Sequence, residues 1–307
     1  MLDLESVYWA SEDKEKLIKT FSGLGFQVTS SMRANYCQSI FFGPESIEIF
    51  SNKEKPELAG EKKQVDSGVV AIGFESDHIA SDYRRIKNLA NDIQKPYRGK
   101  GGSDNIPLWT GFNLPSNVAP AISGSVVMNS PQCFEKLAKE QLPVAHGNTC
   151  FGIEGVHLFC ADPQDAANQW ARVLSRNPAG LKWNELAKTS GKRFQVGHHF
   201  FDVLATKSGS QDGVFMLTLK VADLEKAKSM SLAAGAEVLP CENRDGFIIS
   251  PNFTGGIALR MVRTYWKRYL PPITKNFPYG RRTDHFRPLG GANSTTLNEG
   301  FDDNWKY

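Results

Sequence analysis

Residues 146–160 hold the densest group of side chains in the sequence that could do chemistry. The stretch HGNTCFGIEGVHLFC contains His146, Cys150, His157 and Cys160. Imidazole and thiolate are zinc ligands, and a thiol beside an imidazole is also an arrangement for nucleophilic catalysis. The nine residues between the two cysteines match no zinc-binding spacing, and the chain contains no CxxC or HxxxH. We therefore expect Cys150 and Cys160 to be ordinary buried thiols.

Composition narrows the class of protein. The chain has 307 residues, a formal net charge of +3 and 40% hydrophobic residues, which gives no basis for nucleic-acid or membrane partners. The start, MLDLESVYWASEDKEK, has no basic region followed by an apolar run, and no window approaches ~18 unbroken apolar residues. Five scattered cysteines suit reduced thiols. We expect a cytoplasmic protein whose partner is a small molecule.

The elements that position these residues repeat four times along the chain. Each unit has a short strand, a helix and several further short strands, and the units begin near residues 4, 67, 153 and 213. In the clearest units, Asp162 and Asp223 are candidate N-caps, and Gly235 is a candidate helix stop. One helix for every three or four strands predicts an α+β fold with mostly antiparallel sheets.

The repeats suggest a domain organisation. We expect paired units at 1–130 and 150–263, joined by a linker at 131–149 and followed by a C-terminal arm at 264–307. The prolines and glycines of the arm preclude a regular helix, and its aromatic residues are too many for a free linker. The arm is therefore expected to pack on its own subunit or on a second one, as in a homodimer.

Four stretches carry a resemblance to a known group of proteins: GLGFQVT, EGVHLFCADPQDAA, VADLEKA and SPNFTGGIALRMV. A strand, a capped helix, a glycine and three strands, repeated in pairs, resemble the vicinal oxygen chelate superfamily. This superfamily includes glyoxalase I, extradiol dioxygenases and bleomycin-resistance proteins. The segment from His146 is similar to a glyoxalase-like subgroup, although Gly147 replaces the usual proline. The resemblance implies four βαβββ modules in two pairs, each pair forming a cup-shaped sheet around a small-molecule site.

The resemblance also implies where a metal would bind. Metal-binding relatives take their ligands from the first and last strands of each module. The first-strand positions are Ser6, Val69, Gly155 and Met216, and the last-strand positions are Glu48, Val127, Asp202 and Arg260. Because few of these are ligands, we expect the standard metal site to be absent. A displaced site for Fe, Mn or Zn, built from the histidines of the second half and Asp202, stays open.

Without a metal, the same groups suit acid–base chemistry. His157 lies two residues past Gly155, so strand alternation points it into the second cup, and His198 or His199 should face that cup from the strand of Asp202. We expect His157 or His199 to transfer a proton, with Asp202 orienting it, Arg260 holding an anion and His146 nearby.

Further residues are candidates for binding the substrate. They are Tyr8, Trp109, Phe112, Glu48 and Met216. Trp109 and Phe112 lie in PLWTGFNLP, which we interpret as a loop held rigid by prolines, and Glu48 is either a structural residue or a general base. The leading hypothesis is an enzyme acting on a small aromatic or carbonyl-containing metabolite, of isomerase, lyase or ring-cleaving dioxygenase type. The alternative is a non-catalytic protein that binds and sequesters a small molecule.

Overall fold

The computed structural model describes residues 2–31, 36–43, 45–54, 67–101, 106–133, 135, 143–206, 211–242 and 245–263. The predicted arm at 264–307, and with it the predicted dimer contact, lies outside the described residues. Both sheets of the protein lie in one compact unit, residues 1–264. The division at residues 131–149 into two domains and a linker stays a prediction.

The first sheet contains two consecutive βαβββ modules. The first module consists of β1 Leu2–Ser11, α1 Lys14–Gly23, β2 Thr29–Ser30, β3 Gln38–Phe41 and β4 Ser46–Ser51. The second consists of β5 Ser67–Ser76, α2 Ile79–Lys87, β6 Tyr97–Gly101, β7 Ile106–Leu114 and β8 Ser123–Asn129. The strands lie in the order β2-β3-β4-β1-β5-β8-β7-β6. The first strands of the two modules therefore meet at the centre of the sheet.

The second sheet repeats this arrangement. Its first module consists of β9 Cys150–Cys160, α3 Pro163–Leu174, β10 Ala179–Asn184, β11 Thr189–Val196 and β12 His199–Ala205. Its second consists of β13 Gly213–Val221, α4 Leu224–Ala233, β14 Val238–Pro240, β15 Gly246–Ile249, the short helix α5 Pro251–Thr254 and β16 Ala258–Arg263. The strand order β10-β11-β12-β9-β13-β16-β15-β14 matches that of the first sheet.

Strand directions confirm the predicted fold class. In every module the first strand is parallel to the last, as β9 is to β12, and the two first strands of a sheet are antiparallel, as β9 and β13 are. The remaining neighbours are antiparallel hairpins. The protein is α+β, with four βαβββ modules in two pairs forming mostly antiparallel sheets.

Capping residues begin and end the helices where the sequence predicts. The side chains of Asp162 and Asp223 accept hydrogen bonds from the amides of Asp165 and Lys226. Gly25 and Gly235 follow α1 and α4 with φ of 90° and 81°, a conformation that glycine adopts without strain. Among the described residues, no helix is long and apolar enough to cross a membrane.

One sequence-based expectation for the second module is corrected. The stretch PLWTGFNLP, interpreted as a loop, forms most of strand β7. Pro107 lies near the start of β7 and Pro115 follows its last residue, where a missing amide hydrogen is tolerated.

Each sheet has one face covered by helices and one opposite face, called here the cup face. On the helix-covered faces, Trp9 packs on Phe21 of α1, Phe112 on Tyr83 of α2, and Phe201 on Trp170 of α3, with ring centroids 5.3, 5.3 and 4.7 Å apart. Residues two positions apart along a strand share a face. The cup faces therefore carry the alternate set of residues, which includes the candidate site residues below.

Candidate functional site

His157 lies at the centre of a hydrogen-bonded chain on the second cup face. Its Nδ1 is 2.9 Å from Asp202 Oδ2 on the neighbouring strand β12, and its Nε2 is 2.8 Å from Thr218 Oγ1 on β13. The carboxylate beside Nδ1 places the ring proton there, so Nε2 accepts a hydrogen bond from the Thr218 hydroxyl. Asn184 Nδ2 also approaches Nδ1, at 3.2 Å. His157, Asp202 and Thr218 are each 0% exposed.

Two arginines hold the ends of this chain. Arg193 forms a bidentate pair with Asp202, with both distances 2.7 Å. Arg260 donates from Nε to Thr218 Oγ1 at 3.0 Å and from Nη2 to His157 Nε2 at 3.1 Å. Its Nη1 also reaches Glu185 Oε1 at 3.3 Å. These contacts define the His157 cluster: His157, Asp202, Thr218, Arg193, Arg260 and Glu185.

Burial and neighbouring charges set the protonation states of the His157 cluster. Burial lowers the pKa of His157 to about 4, against the raising influence of Asp202. Burial acts to raise the pKa of Asp202, but hydrogen bonds from Arg193 and His157 outweigh it and hold that pKa below its usual value. At neutral pH the cluster therefore contains a neutral imidazole, whose unprotonated Nε2 lies next to the Arg260 guanidinium.

The metal-ligand positions implied by the fold do not suit a metal here. A Cβ on Gly155 would collide with the ring of Phe200, which fills the space a histidine would need. Met216 packs on Ile248 and Ala258. Arg260 occupies the third ligand position of this cup and would place a positive charge next to the metal ion. Within the described part of the chain, no group of three or more His, Cys, Asp or Glu side chains could hold a metal ion.

His199 does not join the His157 cluster. Its Nδ1 is 2.6 Å from Asp3 Oδ1 and its Nε2 is 2.9 Å from Glu45 Oε1, so both its partners belong to the first half of the chain. Burial opposes the charge on His199, but Glu45 and Asp3 outweigh it and raise its pKa to about 9. The expectation that His198 or His199 faces the second cup is wrong. His199 lies three residues before Asp202 on β12, so it points to the opposite face of the strand, and His198 lies in the exposed turn before β12.

His146 also lies elsewhere, against the first sheet. Its Nδ1 accepts a hydrogen bond from the Gln27 amide and its Nε2 donates to the Phe41 carbonyl, both at 3.0 Å. Burial lowers its pKa to about 4. Its ring packs on Phe26 and Phe42. His146 therefore fastens the segment before β9 to the first module.

The first cup face contains Tyr8 and Glu48 as direct neighbours in register. Ser39 and Ser46 donate to the Glu48 carboxylate at 2.6 and 2.9 Å. Burial raises the pKa of Tyr8 above its ordinary value, so its hydroxyl stays protonated. The Glu48 carboxylate thus has two serine hydroxyls as hydrogen-bond partners.

The other three candidate binding residues are separated. Trp109 covers Gly99 on the first cup face and contacts Tyr97 with ring centroids 5.4 Å apart. Phe112 is three residues further along β7 than Trp109, so it points to the opposite face. It lies on the helix-covered face against Tyr83. Met216 lies on the second cup face beside His157, and it is 0% exposed.

The cysteines of the opening stretch are buried, as expected from the sequence. Cys150 and Cys160 are the first and last residues of β9, and at ~3.3 Å per residue they lie too far apart to share a ligand. Burial raises the pKa of Cys150 to about 12. A thiol with that pKa is a poor nucleophile at neutral pH.

Three members of the His157 cluster were not found from the sequence. Thr218 lies opposite both Gly155 and Arg260, and Arg193 lies opposite Asp202. Once the strand register is known, Thr218 can be located as the partner of Gly155, and Arg193 as the partner of Asp202. Glu185 lies in the turn between β10 and β11, and strand alternation gives no signal for it.

Comparison with known proteins supports the fold and no single reaction. No family model and no curated protein matches the sequence. Among solved structures, a hypothetical protein from Staphylococcus aureus has a TM-score of 0.59 and 10% identity, covering 86% of this chain and 100% of that one.

Two further solved structures have described activities. A halotolerant catechol dioxygenase has a TM-score of 0.57 and 12% identity, covering 85% of this chain and 86% of that chain. A Mn(II)-bound glyoxalase from Novosphingobium aromaticivorans has a TM-score of 0.57 and 11% identity, covering 85% of this chain and 81% of that chain. With the module order described above, these matches identify the fold of the vicinal oxygen chelate superfamily, as the sequence motifs predict.

Proposed function

We propose that the protein is an enzyme that moves a proton on a small aromatic or carbonyl-containing metabolite at the second cup. One observation carries the proposal: the Asp202–His157–Thr218 chain ends next to the Arg260 guanidinium. A nucleophile or base that is oriented by a carboxylate and adjoins a fixed positive charge is a recurrent arrangement for proton transfer.

The roles of the residues follow from their contacts. His157 Nε2 removes a proton from the carbon next to a carbonyl, while Asp202 holds the Nδ1 proton and stabilises the imidazolium. The carbonyl oxygen becomes an enolate oxygen, and Arg260 stabilises its charge. Substrate must take over the contacts that Thr218 and Arg260 make with Nε2 in the free protein. The proton then returns to another carbon in an isomerase, or a leaving group departs from the adjacent carbon in a lyase.

Ring cleavage, the third reaction type considered from the sequence, needs a redox metal as well as these groups. The second cup offers Gly155, Met216 and Arg260 at the positions concerned, and they are not metal ligands. The proposal therefore covers the isomerase and lyase types.

Solvent-deuterium exchange tests the proposal across several classes of substrate at once. Purified full-length protein is incubated in D₂O with a panel of small ketones, 1,2-dicarbonyl compounds and phenols, and NMR follows loss of the C–H signals. We expect exchange into at least one compound, with His157→Gln lowering the rate by about a hundredfold. His198→Gln, which changes an exposed imidazole in the turn before β12, is the matched control and should leave the rate unchanged. Equal rates for wild type and His157→Gln would refute the role of His157.

A second function, binding without catalysis, is supported by the burial of the same cluster. His157, Asp202 and Thr218 are 0% exposed, and both nitrogens of His157 already have partners. A buried, fully paired network can hold a sheet together without reacting. Saturable binding of a compound from the panel, with no exchange into any of them, would favour this function.

A further inference from the structure

A cavity of about 400 Å³ lies where the starts of β5 and β13 approach each other. Its walls come from both sheets and include Val69, Val70, Ile122, Phe159, Val214 and Phe215. Leu186 and Ile257 add further apolar surface. Binding sites for small molecules have volumes of ~300–1,000 Å³ and mostly apolar walls. The cavity therefore has the size and surface of a site for a compact ring-bearing molecule.

A β-bulge gives the cavity an aromatic wall. Val214 pairs with Leu158 and Met216 pairs with His157, so Phe215 is the extra residue of β13. The Phe215 ring stacks on Phe159 with centroids 3.8 Å apart, and its centroid is 5.9 Å from that of His157. Phe215 thus contacts the His157 cluster and also lines the cavity. Flat rings gain from packing against such a pair beyond the area they bury.

The charge of the wall selects among possible ligands. Among the described residues that line the cavity, Asp212 alone carries a charge. Its Oδ1 accepts a hydrogen bond from the Thr206 hydroxyl at 2.9 Å, which fixes the carboxylate. The Asp212 carboxylate repels an anionic ligand group and attracts a cationic one.

We propose that this cavity binds an uncharged or cationic aromatic molecule, which packs against the Phe159–Phe215 pair and is disfavoured when it carries a negative charge. The site is distinct from the His157 cluster and does not depend on proton transfer there. The proposed cavity site is compatible with a binding protein as well as with an enzyme.

Calorimetric titration of the full-length protein with three indole compounds tests the proposal. Indole is uncharged, tryptamine is a cation, and indoleacetate is an anion of nearly the same shape as tryptamine. We expect saturable binding of indole and tryptamine at one site, with tryptamine bound about tenfold more tightly than indoleacetate. Asp212→Asn, which keeps an oxygen for Thr206, should bring the two affinities within about threefold of each other.

A pair of matched variants locates the site. Leu186→Trp fills part of the cavity and should weaken tryptamine binding by about tenfold or more. Leu232→Trp makes the same change on the exposed face of α4 and should leave binding unchanged. Failure of indole and tryptamine to bind, equal affinity for tryptamine and indoleacetate, or equal effects of the two tryptophan variants would each overturn the proposal.

The proposed cavity site and the proposed catalytic role of His157 can be tested independently of each other. His157→Gln should lower the rate of deuterium exchange by about a hundredfold and still bind tryptamine with wild-type affinity, because the ligand packs against Phe215 and not against His157. Loss of tryptamine binding in that variant, with its fold intact by circular dichroism, would contradict a separate site.

Discussion

The charges around His157 balance one another. Arg193 and Arg260 face Asp202 and Glu185, and burial keeps the imidazole between them neutral. The same result arises differently at His146, where two backbone groups satisfy a buried neutral ring. Because the pKa of each is about 4 in the folded protein and ~6.5 in the unfolded chain, both histidines couple stability to acid.

We expect the free energy of unfolding to fall by about 2 kcal/mol for each of these histidines as pH drops from 7.5 to 5. A group with a lowered histidine pKa takes up its proton first in the unfolded chain, so acid favours unfolding below pH ~6.5. Urea titrations at the two pH values measure the fall. His146→Asn and His157→Asn should each remove their own share, and an unchanged fall in both variants would contradict this assignment.

The elements differ in how far sequence predicts them. Asp162 and Asp223 act within one helical turn, so their capping roles could be predicted from sequence alone. Strand β7 was missed because Pro107 and Pro115 resemble loop signals, although Pro107 lies near its start and Pro115 follows its last residue. The misplacement of His199 has another cause: it lies three residues before Asp202, so alternation places it on the opposite face, while His198, which would share the face of Asp202, lies outside β12. The bulge at Phe215 depends on pairing with β9, which no local pattern reports.

The helix caps provide a test at this scale. Asp162→Ala and Asp223→Ala should each lower the free energy of unfolding by about 1 kcal/mol, because each leaves a helical amide without its acceptor. Urea denaturation measures the loss. Lys228→Ala, an exposed change inside α4, should cost only a few tenths of a kcal/mol. Equal losses in all three variants would show that the caps contribute nothing specific.

At the scale of the whole molecule, polar contacts join the first half of the chain to the second, and two groups of them lie near histidines. Asp3 and Glu45 of the first half hold His199 of the second, and Glu45 also accepts a hydrogen bond from the Ile153 amide at 2.8 Å. Asn148 donates to the Leu24 carbonyl at 2.9 Å, close to His146. The four-module pattern was predictable because it repeats in sequence. These contacts between the two halves were not, since their members are up to 196 residues apart.

The ion pairs of His199 should also make the free energy of unfolding depend on pH on the basic side of pH 6.5. Its pKa is raised to about 9, so its contribution is complete below pH ~6.5 and is lost as pH rises toward 9. From pH 6.5 to 8 the wild type should lose about 1.5 kcal/mol through this group. His199→Asn should lack that loss, as measured by urea denaturation at both pH values. A variant that keeps the wild-type slope would show that His199 is not charged in the folded protein.

The filling of the Gly155 position by Phe200 limits what a single substitution can achieve. A histidine at residue 155 would collide with the Phe200 ring, which itself lies under Arg193 with the guanidinium carbon 3.9 Å from the ring centroid. Giving this cup a metal would require changes at residues 155, 200, 216 and 260 together, and each intermediate would disturb a buried group. We therefore expect a metal site in the second cup only from all four changes made together, and from no single one of them.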